Sequence, residues 1–297
     1  MNRMTQRMKY FLLVLISTFA TAACNGPGSS TAASERSPAA ILPDSSLEDP
    51  KNPPVTVEVP NATPDQRSYT IDALIFNGTG VSVSDWQNTE IIVKSLGMNY
   101  HLANSAQLNA MTLDEIASFG LIIVPGGSGG TITGNLTTAT RLNVRKAVRD
   151  RGVGYVGFCA GAWVAVGPEA DTDQTAGYGM AVAKGDVLPY FWPDGNSSLV
   201  AAMVPVSFPD GSSRELVWWG GPSTPEWSDG VVARYKNGSP AISQTRSGKG
   251  FVVISGPHPE APEGWRLTAG NDSDGLDYDI AIDMIKAAIH QRPLQAF

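Results

Sequence analysis

The sequence predicts an α/β domain built on a doubly wound, mainly parallel sheet with an inserted β-rich segment. Three observations predict it. Between Ser68 and Phe158, short apolar runs alternate with segments of helical period, the pattern of a parallel sheet with helices between its strands. One run, Leu121-Ile122-Ile123-Val124, is apolar throughout, as a strand buried on both faces should be. From about Gly167 to Ser255 the texture changes to short apolar runs broken by Pro-Asp-Gly, Asn-Gly and Ser-Gly turns, which read as strands and hairpins.

Taken in order, Tyr69 to Phe76 is a strand ending at Asn77-Gly78-Thr79-Gly80. Ser84 is placed to cap a helix running to Leu96, with Gly97 as its stop. Met98 to Leu102 is a second short strand. Thr112-Leu113-Asp114-Glu115 fits a capping box for a short helix ending near Phe119. Leu121 to Val124 then runs into Pro125-Gly126-Gly127. A helix is expected over about Leu136 to Arg151, and Val153 to Phe158 is the next strand. In the β-rich segment the expected strands are Leu199–Val206, Glu215–Trp219, Gly230–Tyr235 and Gly250–Ile254. A final helix, Gly275 to His290, carries Leu276, Ile280, Met284 and Ile285 on one face. No internal repeat is evident.

The first 23 residues read as an export signal. Arg3, Arg7 and Lys9 make a basic start, Tyr10 to Ala20 is apolar, and Thr21-Ala22-Ala23 is a run of small residues. Cys24 follows directly, and the pattern resembles a bacterial lipoprotein signal, in which that cysteine is lipidated. Thr21 stands where such signals usually have Leu. Ordinary cleavage after Ala22 or Ala23 is the alternative. Residues 24–67 are rich in Ser, Ala, Pro, Asp and Asn without a sustained period, and are expected to be a flexible tether. The folded domain is expected over 68–297. Without residues 1–23 the chain keeps 28 acids against 18 bases, a net charge of −10. That argues against nucleic-acid binding and against docking on anionic lipid. The location expected is the periplasmic face of a bacterial envelope membrane, the outer membrane in a Gram-negative cell.

Three motifs carry candidate chemistry. Gly157-Phe158-Cys159-Ala160-Gly161 directly follows a strand. It reads as a nucleophile elbow, in which residues two positions either side must lack bulk. A helix N-terminus behind the sulfur would favour thiolate. The chain has only two cysteines, so if Cys24 is lipidated or removed, Cys159 is unpaired. Gly256-Pro257-His258-Pro259-Glu260 offers a histidine in a rigid loop after a strand. The following proline pushes His258 to extended geometry, where Glu260 points the same way and can orient the imidazole. Gly126 and Gly127 end a buried strand, where bare N–H groups can meet an oxyanion. The Ala160 N–H would be a further donor. Alone, each motif also fits a plain strand-to-helix turn or a surface loop.

Together they resemble the class I glutamine amidotransferase-like superfamily, whose order is a Gly-rich oxyanion strand, a cysteine elbow, then a C-terminal His-Pro-Glu. His258 falls 99 residues after Cys159. The resemblance implies a flavodoxin-like, glutamine amidotransferase-like fold and a Cys159–His258–Glu260 centre. Within the superfamily the chain is most similar to the domain found at the N-terminus of biotin-protein ligases. That similarity rests on Val124-Pro125-Gly126-Gly127, Phe158-Cys159-Ala160-Gly161-Ala162, Trp219-Gly220-Gly221-Pro222, Val232-Ala233-Arg234-Tyr235, and Gly248-Lys249-Gly250 leading into Ser255-Gly256-Pro257-His258-Pro259-Glu260. The ligase activity is not implied.

The departures shape the expected function. Amidotransferases place Leu-Gly-His-Gln or similar after the nucleophile, whereas this chain reads Ala160-Gly161-Ala162-Trp163. No synthetase partner is expected, so ammonia delivery is not. The expectation is an exported, membrane-anchored cysteine hydrolase-like domain acting on an amide, peptide or ester, held to the membrane by lipid on Cys24. The alternative is a non-catalytic envelope binding module that retains the fold. Peptidase or thiol redox chemistry at Cys159 is a further rival. Trp219, Gly220 and Gly221 are candidate substrate-lining residues, although Trp192, Trp218 and Trp219 also suit packing of the β segment. Asn271, Asp272, Asp274, Asp277 and Asp279 cluster, but their spacing fits no calcium loop and reads as a solvated turn before a helix. No phosphate loop, dinucleotide fingerprint or zinc spacing appears, and neither a cofactor nor a metal is expected.

Overall fold

A computed structural model describes residues 67–173, 179–195 and 198–297. The export signal, Cys24 and all of the tether but Arg67 lie outside the described residues. Elements follow in chain order: β1 (Ile71–Phe76), α1 (Val83–Ser95), β2 (Tyr100–Ala103), α2 (Ser105–Ala110), α3 (Leu113–Ala117), β3 (Phe119–Val124), α4 (Gly129–Gly134), α5 (Thr138–Arg149), β4 (Gly154–Phe158) and α6 (Ala160–Ala165). Then come the two-residue strands β5 (Val166–Gly167) and β6 (Ala183–Lys184), followed by β7 (Ala202–Ser207), β8 (Ser213–Trp218), β9 (Val231–Tyr235), β10 (Pro240–Ser247), β11 (Gly250–Ser255), α7 (Glu263–Ala269) and α8 (Tyr278–His290).

One sheet of nine strands runs in the order β2-β1-β3-β4-β11-β10-β9-β7-β8. The pairs from β2 through β11 are parallel. Their order, 2-1-3-4 and then the last strand, is the flavodoxin-like doubly wound arrangement. The β-rich segment extends that same sheet: β10 pairs antiparallel with β11, and β9, β7 and β8 continue outward.

Both faces of the parallel half are covered, which is why its central strand β3 is apolar throughout and buried at every position. Ala73, Ile75, Leu121, Ile123, Val156 and Val253 share one core with Ile92 and Val93 of α1 and Met284, Ile285 and Ala288 of α8. Their neighbours Leu74, Phe76, Ile122, Val124, Tyr155 and Ile254 share the other with Leu108, Ile116, Val144 and Val148 of α2, α3 and α5. This is the two-residue alternation of a strand, read on both faces.

Several boundaries differ from expectation. α1 is capped at Ser82 rather than Ser84. α8 begins at Tyr278, because buried Asp277 is held by Arg266 and Arg214 just before it. Leu276 therefore lies outside the helix and is exposed, and Ala281 joins Met284 and Ile285 on the buried face. The capping box at Thr112 forms with both of its hydrogen bonds. So does one at Asn104 and Gln107 that starts the unanticipated α2. β10 was also unanticipated, because its centre is polar. Ser243 and Gln244 are buried there and hydrogen-bonded: Ser243 to Thr224 and Pro225, Gln244 to both main-chain groups of Leu294. Among the described residues no helix is long and apolar enough to cross a membrane.

Gln244 ties the C-terminal segment to the sheet through two bonds of 2.7 and 2.8 Å. Gln244→Leu is expected to lower stability by about 1–3 kcal/mol, since it leaves the Leu294 N–H and carbonyl unpaired. Urea denaturation followed by tryptophan fluorescence measures it.

Candidate active site

The carboxyl edge of the parallel half gathers the candidate residues. β4 and β11 are adjacent and parallel, with Phe158 opposite Ser255. The chain leaving β4 at Cys159 and the chain leaving β11 toward His258 therefore emerge side by side. The Cys159 N–H donates to the Ser255 carbonyl at 2.8 Å. β3, on the other side of β4, delivers Gly126 and Gly127.

Cys159 sits at φ 47°, ψ −101°, a conformation that costs an L-residue roughly 1–3 kcal/mol. Its carbonyl accepts from the N–H groups of Ala162 and Trp163 and so starts α6. The turn closes only because its flanks are bare. A Cβ at Gly157 would run into the backbone of Gly161, and one at Gly161 into the Val124 carbonyl. The Tyr155 hydroxyl donates to the Gly161 carbonyl at 2.8 Å and pins the turn from below. The sulfur is 2% exposed with its residue and lies 3.7 Å from the Trp219 carbonyl.

His258 and Glu260 are both buried, and Nδ1 lies 2.8 Å from Glu260 Oε1. The His258 N–H donates to the Val217 carbonyl at 2.7 Å, so β8 fixes the loop's backbone. Ser255 Oγ donates to the Pro257 carbonyl and stiffens the approach. Nε2 is buried without a hydrogen-bond partner, which leaves it as the ring nitrogen available to Cys159. Burial alone would lower the imidazole pKa. The Cys159 sulfur, the Glu260 carboxylate and Asp85 outweigh it and hold the ring well above its ordinary value. Burial, partly offset by His258, pushes Glu260 up to about 7.

Three neighbours were not anticipated from sequence. Asp85, in the first turn of α1, places Oδ1 3.3 Å from His258 Nδ1. In sequence the helix cap is expected at Ser84, beside it, and nothing there ties Asp85 to the imidazole. Trp265 of α7 packs edge-on to the His258 ring at 5.2 Å and to Trp219 at 5.7 Å. Tyr235 of β9 feels the charge at Cys159 and is held well above its usual pKa, chiefly by burial.

The remaining candidates take varied positions. The N–H groups of Gly126 and Gly127 make no hydrogen bond among the described residues, and Ala160, as the first residue of α6, has no intrahelical acceptor. Gly126 faces Asp85 and His258, while Gly127 packs against Gly80 and Val81. Trp219 borders the sulfur through its carbonyl, and its indole donates to the Leu199 carbonyl. Gly220 turns the chain at φ 75°, and Gly221 lies against the Gly256 backbone. Trp218 is core. His101, in β2, and His290, at the end of α8, are exposed. The aspartates at 272–279 are not a purely solvated turn: Arg266 pairs with Asp272 and Asp277, and Arg214 with Asp274, Asp277 and Asp279. Asp85, His258 and Glu260 offer metal-ligating atoms within 4.8 Å of one another. The Nδ1–Oε1 separation of 2.8 Å is that of a hydrogen bond.

No protein-family model matches this chain, and no curated protein matches it. Solved structures similar to it include a glutamine amidotransferase at 21% identity, covering 72% of this chain and 97% of that one, with a TM-score of 0.46. A ThuA-like protein from Bacteroides uniformis is 13% identical, covers 79% and 97%, and has a TM-score of 0.48. A glutamine amidotransferase from Thermotoga maritima is 12% identical, covers 66% and 80%, and has a TM-score of 0.43. At these scores the likenesses carry no argument about what this chain does.

A carboxyl held protonated by the fold binds more protons folded than unfolded. Stability then falls as pH rises from its unfolded to its folded pKa. For Glu260 that window runs from 4.5 to about 7. Melting curves from pH 4.5 to 8 should show the wild type losing ground to Glu260→Gln across the window, with the difference constant above it.

Proposed function

We propose that this chain is a cysteine hydrolase-like domain of the class I glutamine amidotransferase type, acting on an amide, peptide or ester. One observation carries the reading. Cys159 occupies a strained strand-to-helix turn beside a buried imidazole whose Nδ1 is held by Glu260 at 2.8 Å. A nucleophile, a base and a group that orients the base form the unit needed for acyl transfer. In this reading the Cys159 sulfur attacks the carbonyl carbon. His258 Nε2 then passes a proton to the departing amine or alcohol. The resulting thioester is opened by water, with Nε2 as the base. The N–H groups of Gly126, Gly127 and Ala160 are the candidate donors to the oxyanion.

Export and membrane anchoring belong to the same proposal. They rest on the basic and apolar pattern of residues 1–23 and on Cys24. The similarity to the biotin-protein ligase N-terminal type rests on the motifs around Cys159, Trp219 and His258. The near-complete burial of Cys159 favours a second reading, a binding module that keeps the turn as structure.

Iodoacetamide labelling of the full chain, read peptide by peptide so that Cys24 does not interfere, separates the two. Labelling of native Cys159 that slows in His258→Gln supports the catalytic reading. A Cys159 that reacts only after denaturation supports the structural one. Any hydrolysis of nitrophenyl esters or nitroanilides should fall at least about a thousandfold in Cys159→Ser.

A further inference from the structure

The site holds one more acid than a Cys-His-Glu centre uses. Asp85 is 1% exposed, and neither of its carboxylate oxygens has a hydrogen-bond partner among the described residues. Stripping a carboxylate of water without compensation is costly, so a buried one needs a charge to meet. As the third residue of α1 it would ordinarily reach back to the amide of the capping residue. That amide, Ser82 N–H, donates instead to the Gly126 carbonyl at 3.0 Å. Asp85 is thereby released from capping and turned inward, with Oδ1 3.3 Å from His258 Nδ1. Gly126 makes the room, since a Cβ there would run into both Asp85 Oδ1 and His258 Cε1.

We propose that Asp85 is a positioning residue for His258, sharing the Nδ1 edge of the ring with Glu260 and holding Nε2 toward Cys159. This rests on the Cys159–His258 reading above. The two carboxylates come from different elements, α1 and the loop after β11, so the imidazole is gripped from two directions while Trp265 closes its face. Two tyrosines also lie within reach of the cluster: Tyr235 feels the charge at Cys159, and Tyr278, at the start of α8, feels those of Arg266 and Glu260.

Asp85→Asn keeps the shape and removes the charge. In the full chain, peptide-resolved iodoacetamide labelling of Cys159 near neutral pH should slow roughly tenfold, as expected for loss of one charged contact. The NMR titration of His258, one of only three histidines, should move to lower pH. A wild-type labelling rate together with an unmoved titration overturns the proposal, as does a change confined to melting temperature. If wild-type Cys159 does not label, the catalytic reading has failed, and the His258 titration still reports on Asp85 alone. Should Asp85→Asn not fold, Glu260→Gln leaves Asp85 as the single carboxylate on Nδ1. Retention of at least about a tenth of the labelling rate supports the proposal, and complete loss overturns it. Stoichiometric Zn²⁺ binding that requires Asp85 would assign the cluster to a metal and overturn the positioning role.

Discussion

The parallel pairing of β4 with β11 is the constraint on which the rest of the site depends. It sets Phe158 opposite Ser255 and joins Cys159 N–H to the Ser255 carbonyl. Cysteine and histidine, 99 residues apart in the chain, then leave neighbouring strands at the same edge. The long insertion between them does not loosen this pairing, because β7 to β10 continue the same sheet. β8 returns to hold His258 through its backbone.

Close approach of bare backbone is the second condition. Gly161 lies against Val124, Gly157 against Gly161, and Gly221 against Gly256. These contacts draw four segments together around the sulfur and force Cys159 into a strained conformation that the surrounding hydrogen bonds maintain. The dry interior makes the local charges strong. The neighbouring charges hold the His258 imidazole above its ordinary pKa against the effect of burial, while burial pushes Glu260 up, toward neutrality. A cysteine, an imidazole and two carboxyls in one buried cluster form a single electrostatic unit.

Much of this was readable in the sequence because local rules were obeyed. The doubly wound core announced itself in runs such as Leu121–Val124, apolar at every position since both faces are covered. Gly157, Cys159 and Gly161 revealed the turn, and the prolines flanking His258 revealed its rigid loop. What stayed hidden depended on partners distant in sequence. β10 was obscured because Ser243 and Gln244 satisfy their polar groups against Thr224, Pro225 and Leu294 rather than water. Asp85 stayed hidden because it lies in the first turn of α1, far in sequence from the imidazole it meets. Trp265 belongs to a short helix with no sequence feature tying it to the imidazole. The aspartates at 272–279 gave no hint that Arg214, on β8, would pair with them.

The shared sheet has a mechanical consequence for anything that enters. The wall bearing Trp219 and the floor bearing Cys159 are parts of one hydrogen-bonded surface, stapled again where Val217 meets His258. Strands paired in this way move as one body, so any access to the buried sulfur falls to the side chains and turns that lie outside the strands.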